Sequence, residues 1–316
     1  MLKSDLKIVF FGTPEFAVRS LDALVTGGYN VCAVVTMPDK IAGRGHKLIQ
    51  SDVKQYAQEH NLPVLQPEKL KSPDFVEELR AIDADLFIVI AFRMLPEIVW
   101  QMPRLGTFNL HASLLPKYRG AAPINHAVMN GEKVTGITTF FLKHEIDTGD
   151  MIMQRSIEIG DDENVGSVHD RLMEIGAEAV TQTVESILEG SLRTIPQPEG
   201  DFTPAPKIFK DTCRIDWSAT ASRIHNHVRG LSPYPAAWTR MVSDNGDEAD
   251  LKIYETSVKN LPPLPTLKIG EVLIVKGHVY VGTGEGPIEI LSLQPAGKKR
   301  MEARAFTLGY HPVTMK

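Results

Sequence analysis

The chain has 316 residues, 43% hydrophobic and 23% charged, with a formal net charge of −5. That length favours two domains in a soluble globular protein, and the acidic balance argues against a general nucleic-acid coat while leaving room for a local basic site. There is no apolar run of the roughly 18 residues a membrane span needs, no apolar signal region after Met1, and only Cys32 and Cys213, in no metal or disulfide pattern, so a cytoplasmic location is expected.

Residues 6–11 (LKIVFF) read as a strand, followed at once by Gly12-Thr13-Pro14-Glu15. Thr13 is expected to cap a helix over 14–25 with Pro14 in its first position. A second Val-rich strand over 30–36 completes a βαβ unit, which predicts a doubly wound, mostly parallel sheet of Rossmann-like type. The turn lacks the G-x-G-x-x-G pattern of a dinucleotide site and is read as a tight strand-to-helix turn lining a cleft. Residues 37–47 then place Lys40, Arg44, His46 and Lys47 around Gly43 and Gly45. Such a loop is either a solvated flexible connection or a set of cations that grip a polyanionic substrate. A helix over 51–60, a short strand over 62–65, a helix ending at Ala81 and a buried strand over 84–91 follow. Phe92, Met94 and Leu95 sit at the carboxyl end of that last strand, where open α/β sheets bind ligands.

The stretch 108–150 is the most informative. Asn109 and His111 interrupt an apolar strand and, being two apart, project from one face, with Phe108 and Leu110 on the other. A strand over 136–142 leads into the acidic loop Glu145-Ile146-Asp147-Thr148-Gly149-Asp150. If these strands are neighbours, Asn109, His111 and Asp147 converge. A carboxylate beside an imidazole fixes its tautomer or favours its charged form, and N–H groups aimed at one point stabilise an oxyanion. No hydroxyl or thiol stands out as a nucleophile, since Ser113 opens a Ser-Leu-Leu-Pro turn, not a strained elbow. That pattern suits direct acyl transfer to an amine. Set against this, a strand histidine is commonly a hydrogen-bonded core residue and Asp-Thr-Gly-Asp is a good turn. His111, His126 and His144 match no usual metal-ligand spacing, so no metal is expected.

A helix over 165–188, capped by Asn164, ends at Gly190. Residues 191–208 contain Pro196, Pro198, Gly200, Pro204 and Pro206 and read as a stiff linker between a domain over 1–190 and one over 209–316. The second domain is expected to hold one helix over 215–231 and short strands over 236–241, 251–258, 270–276, 278–282 and 287–294, a small β-barrel of the oligonucleotide-binding kind. It carries 14 Lys/Arg against 11 Asp/Glu, so residues 1–208 hold a net −8; a basic barrel hints at a nucleic-acid or phosphorylated substrate.

Asn109-Leu110-His111, the run Ser113-Leu114-Leu115-Pro116-Lys117-Tyr118-Arg119-Gly120 and Asp147-Thr148-Gly149-Asp150 together closely resemble the folate-dependent formyltransferases. Within that family, residues 11–17 (FGTPEFA), 38–45 (PDKIAGRG) and the 207–217 segment with the terminal barrel are similar to the members that act on methionyl-tRNA, over nearly the whole chain. The resemblance implies transfer of the formyl group of 10-formyltetrahydrofolate to the amine of initiator methionyl-tRNA. It implies Asn109, His111 and Asp147 as the catalytic trio, with Asn109 and His111 polarising the formyl carbonyl and Asp147 setting the protonation of His111. Ser113, Leu114, Leu115 and Pro116 would bind the folate, with its pterin near Phe92, Met94, Leu95 and the 144–147 loop. Lys40, Arg44 and Lys47 would approach the tRNA acceptor end, and the 209–316 barrel would contact the tRNA. Ile41 stands where the family usually has proline, which should loosen the loop without removing its charges. A monomer, no metal and no membrane partner are expected. The rival within the same chemistry is a sugar-nucleotide amine formyltransferase; a folate hydrolase and a non-catalytic RNA-binding protein are further alternatives.

Overall fold

The computed structural model of the chain describes residues 2–42, 47–200 and 202–316. In chain order the elements are β1 (Lys7–Gly12), α1 (Glu15–Thr26), β2 (Asn30–Val35), β3 (Lys40–Ala42), β4 (Lys47–Ile49), α2 (Asp52–Glu59), β5 (Val64–Leu65), α3 (Pro73–Ile82) and β6 (Leu86–Ile90). Next come α4 (Glu97–Trp100), β7 (Thr107–His111), β8 (Arg119–Gly120), α5 (Pro123–Met129), β9 (Val134–Phe141), β10 (Met151–Glu158), α6 (Val165–Glu189) and β11 (Pro204–Ala205). The last are α7 (Ala221–Leu231), β12 (Ala237–Ser243), β13 (Glu248–Ser257), β14 (Val272–Val275), β15 (His278–Gly282), β16 (Pro287–Pro295), β17 (Met301–Glu302), α8 (Ala303–Phe306) and β18 (Pro312–Met315).

Two compact units divide the chain. The first takes Met1–Gly120, Gly136–Ile157 and His169–Pro204. Its sheet runs β10-β9-β7-β6-β1-β2-β5. The neighbours from β7 to β5 are parallel, while β9 runs antiparallel to β7. This is the doubly wound, mostly parallel sheet that the βαβ pattern predicts. The reason lies in the strands: every residue of β6 (LFIVI) is buried, which only a strand covered on both faces permits. Val9, Phe11, Phe75, Leu79, Phe87, Val89 and Val99 form a core on one face.

Two local expectations change. Pro14 occupies the cap position of α1, with extended backbone (φ −84°, ψ 173°), and its carbonyl already accepts from the Ala17 amide at 2.9 Å. Accepting the first intrahelical bond defines the cap, so Thr13 lies one residue outside the helix, and its buried Oγ1 has no hydrogen-bond partner among the described residues. The 37–47 loop also begins and ends in regular structure, because β3 and β4 pair antiparallel, Lys40 with Ile49 and Ala42 with Lys47. Its root is pinned where Lys54 Nζ meets Asp39 Oδ2 at 2.6 Å and Gln66 Nε2 donates to Asp39 Oδ1 at 2.7 Å. The bond from Lys54, followed by that from Gln66, holds the Asp39 carboxyl below its ordinary range.

The second unit takes Ala121–Thr135, Glu158–Val168 and Ala205–Lys316. Its sheet follows β14-β15-β16-β13-β12-β18, with β17 on β16. A bridge between Glu271 and Thr314 ties the two ends, giving a nearly closed antiparallel barrel. Its interior holds Trp217, Ile224, Val228, Leu251, Ile253, Val279, Val281, Ile290, Leu293 and Phe306. The helix expected over 215–231 is shorter. Asp216 Oδ1 accepts from both the amide and the hydroxyl of Ser218, at 3.0 and 2.6 Å, an aspartate turn that competes with helix. Ile215 donates instead to the Trp238 carbonyl at 2.9 Å, and Thr220 caps α7 by accepting from the Arg223 amide at 3.2 Å. Two further strands, β17 and β18, and the short α8 extend the barrel beyond the expected strands.

Candidate active site

The site assembles at the carboxyl end of the parallel strands in the first unit. Strand β7 is fixed between β6, with Val89 opposite Asn109, and β9, with Asn109 opposite Phe140 and His111 opposite Thr138. Phe108 and Leu110 are buried, so Asn109 and His111 share the other face. Asn109 is half-buried. His111 is buried, and its Nε2 lies 2.8 Å from the Tyr118 carbonyl. A carbonyl only accepts, so Nε2 carries a proton. The other ring nitrogen, Nδ1, faces Asp147 Oδ2 at 3.8 Å, with side-chain exposures of 8% and 14%. That gap is too long for a hydrogen bond.

Asp147 reaches this position through its backbone. It has a left-handed φ of 55°, and its Oδ2 accepts from the Gly120 amide at 3.0 Å. Ala91 (φ 47°) and Tyr118 (φ 61°) are also left-handed. Ala91 follows β6 and Tyr118 carries the carbonyl that holds His111. Non-glycine residues rarely adopt this conformation, and such strain concentrates at functional edges. Gly149 is required by space: a Cβ there would lie 1.5 Å from the Phe141 carbonyl oxygen. The structure thus brings Asn109, His111 and Asp147 to one edge.

The residues expected to hold folate fall into two groups. Ser113 is fully buried, with its hydroxyl donating to the Lys117 carbonyl at 2.6 Å. Leu115 is buried, its amide donating to Thr138 Oγ1 at 3.1 Å and its carbonyl accepting from Gln154 Nε2 at 2.9 Å. Leu95 belongs to the sheet core. These three shape the edge from within. Met94 is exposed, while Leu114, Pro116 and Phe92 are half-buried, so they can meet a ligand directly. Phe92 packs on Phe11 with ring centres 5.7 Å apart. His144 is exposed, with Nδ1 3.7 Å from Glu97 Oε2 of α4. Lys40 is exposed at the start of β3, Lys47 opens β4, and Arg44 lies outside the described residues.

Sequence reasoning missed several groups. Thr138 Oγ1 is a buried hub that donates to the Ser113 carbonyl at 2.7 Å and accepts from Gln154 Nε2 at 2.9 Å as well as from Leu115. Arg93 braces the Phe92–Leu95 corner by donating to the Glu68 carbonyl at 2.8 Å and to the Pro67 carbonyl. Burial lowers its guanidinium pKa below the usual arginine range. Gln197 donates to the carbonyls of Asp147 and Gly149. No pattern in the sequence marks these, because their partners are mostly backbone carbonyls, which every residue possesses.

The chain matches the family model described as "Formyl transferase" over residues 6–184 and that described as "Formyl transferase, C-terminal domain" over residues 207–311. It is 57% identical over 316 residues to a methionyl-tRNA formyltransferase of Bacteroides fragilis, covering 98% of this chain and 97% of that one. It is 56% identical over 320 residues to the protein of the same name from Parabacteroides distasonis, covering 99% and 98%. Among solved structures it resembles WlaRD, a sugar 3N-formyl transferase solved with dTDP and 5-N-formyl-THF, with a TM-score of 0.66 at 18% identity, covering 93% of this chain and 99% of that one. It also resembles HypX from Aquifex aeolicus in complex with tetrahydrofolic acid, with a TM-score of 0.63 at 20% identity over 97% of this chain and 47% of that one. At those identities the likeness speaks for the fold, whereas the relatives above half identity and both matched models speak for descent: this chain belongs to the formyl transferase family.

Proposed function

We propose that the chain transfers the formyl group of 10-formyltetrahydrofolate to the α-amino group of initiator methionyl-tRNA, giving N-formylmethionyl-tRNA. The observation that carries this reading is the Asn109–His111–Asp147 edge, in a chain more than half identical to methionyl-tRNA formyltransferases over almost its full length. The amine attacks the formyl carbon, the carbonyl oxygen gains negative charge, and the bond to the folate nitrogen breaks as that nitrogen takes a proton. The Asn109 amide stabilises the oxyanion; the share in this expected of His111 is given up, because its Nε2 proton is engaged by the Tyr118 carbonyl. Since Nε2 of His111 is held by Tyr118, the Nδ1 side accepts the proton leaving the amine and passes it to the departing folate nitrogen, and the Asp147 carboxylate stabilises the imidazolium between the two transfers. No enzyme nucleophile is required.

Folate would lie along the half-buried and exposed members of the two strand ends, Phe92, Met94, Leu114 and Pro116. The buried Ser113, Leu115 and Leu95 would set the shape of that groove. Lys40, Arg44 and Lys47 would meet the acceptor end as phosphate-neutralising cations. We read 1–190 as the catalytic region, 191–208 as a linker and 209–316 as the tRNA-contacting barrel, in a cytoplasmic monomer.

The deciding assay supplies 10-formyltetrahydrofolate with methionyl-tRNA, with a sugar-nucleotide amine, or with water alone. Formylmethionyl-tRNA is the expected product. Formylation of the sugar amine alone, or release of free formate in every arm, would overturn the reading. Arg44→Ala should raise KM for the tRNA while leaving folate binding intact; equal losses toward both substrates would make that loop structural.

A further inference from the structure

The proline-rich stretch after α6 makes its contacts where the site needs holding. Ile195 and Met151 exchange amide–carbonyl bonds of 2.8 Å in both directions. Two residues on, Gln197 Nε2 donates to the Asp147 carbonyl at 2.8 Å and to the Gly149 carbonyl at 2.9 Å. Its Oε1 accepts from Arg119 Nε at 3.2 Å and Nη2 at 2.6 Å. The Arg119 guanidinium also lies over the Phe202 ring, 4.4 Å from its centre. Further along, the Thr203 carbonyl accepts from the Tyr118 amide at 2.6 Å. Tyr118 is the residue whose carbonyl holds His111 Nε2. All of these residues belong to the first unit.

We propose that Gln197 is a positioning residue for formyl transfer: with Arg119 it clamps the 147–149 turn so that the Asp147 carboxylate stays against Gly120 and faces His111 Nδ1. Asp147 sits in a left-handed conformation, which costs an L-residue energy even though aspartate tolerates it better than most, so a contact that holds the turn favours it. One amide side chain supplies it by donating to the Asp147 and Gly149 carbonyls of that turn. The carboxamide is suited to this because it donates twice and still offers an oxygen to the guanidinium. The same stretch fixes both partners, Asp147 through Gln197 and His111 through Thr203 and Tyr118. The linker between the 1–190 and 209–316 regions therefore does more than join them: Gln197 and Thr203 within it also brace the catalytic residues. This rests on the formyl-transfer reading above.

The test uses the full chain with Gln197→Met, which keeps length and loses both donors, and Gln197→Glu, which keeps the acceptor for Arg119 and sets a carboxylate against two carbonyls. Both should lower kcat by about 10–100-fold, the scale of a small displacement of a catalytic group, with KM for each substrate within about twofold. In an Asp147→Asn background, Gln197→Met should add little further loss, because the two changes act through one group. An independent readout is amide exchange at Gly120, the donor to Asp147 Oδ2. It should quicken by roughly tenfold or more in Gln197→Met while amides of β1 and β6 keep their protection. Full additivity with Asp147→Asn, or unchanged Gly120 exchange, would overturn the clamp. A Gln197→Glu enzyme with wild-type kcat would do the same if the Met variant fails to fold. A wild-type chain that formylates no methionyl-tRNA would refute the functional reading instead, and the Gly120 exchange would still decide the clamp.

Discussion

Replacing Gly149 by alanine is the sharpest probe of how the loop of Asp147 is built. The added Cβ would lie 1.5 Å from the Phe141 carbonyl oxygen and 2.7 Å from its carbon, whereas ordinary contact begins near 3.4 Å. Relief therefore demands a displacement of about 1.9 Å, the difference between those two distances. Phe141 cannot readily supply it, because it is paired with Phe108 of β7 and the next three residues back along β9 are paired with β7 as well. The loop must move, and Asp147 is two residues away, its Oδ2 only 3.0 Å from the Gly120 amide. A shift of that size breaks this bond and changes the 3.8 Å approach to His111. Misplacement by about 1 Å can cost roughly 10²-fold, so kcat should fall by at least about that factor, which is about 2.7 kcal/mol of barrier. The assay is steady-state formation of formylmethionyl-tRNA across both substrates, with circular dichroism to show that the fold persists. A folded Gly149→Ala enzyme within threefold of wild type would refute the steric argument and the need for Asp147 in this position.

The other predictions are simpler. Asn109→Ala should lower kcat by roughly 10²–10³ through loss of an oxyanion donor; a folded variant losing less than threefold would remove Asn109 from the mechanism. Thr138→Val keeps shape but strands the Ser113 carbonyl and the Leu115 amide, so chemical denaturation should show a loss of about 1–3 kcal/mol, and an unchanged midpoint would mean that other partners replace the hydroxyl. In the second unit, burial, against the opposing pull of Asp161 and Asp162, holds the pKa of His225 below its ordinary 6.5. Since the unfolded chain then binds the extra proton first, this stabilisation is full above pH 6.5 and is lost as pH falls through the depressed folded value. His225→Gln should flatten the acid side of the stability curve, and an unaltered slope would assign the acid sensitivity elsewhere.

The amino-acid order alone determined the architecture of the first unit and half of its chemistry. Continuous apolar strands joined through a helix can only be buried as a parallel, two-faced sheet, and a period of two puts Asn109 and His111 on one face whatever surrounds them. The barrel was legible in outline for the same reason, through short alternating strands between turns. Ends of elements were not: Pro14 took the cap from Thr13, and Asp216 turned the chain before α7 could begin, because local hydrogen bonds compete at every helix start.

What only the tertiary structure decided is which backbone groups receive these side chains. The Tyr118 carbonyl sets the tautomer of His111, and the Gly120 amide holds Asp147. Gln197 reaches across 50 residues to the turn that carries Asp147. Backbone carbonyls and amides are the same at every position, so nothing in the sequence distinguishes those that serve. Folding selects them by bringing distant segments to one strand edge, where Gln197 and Thr203 hold the left-handed Asp147 and Tyr118 through their backbones.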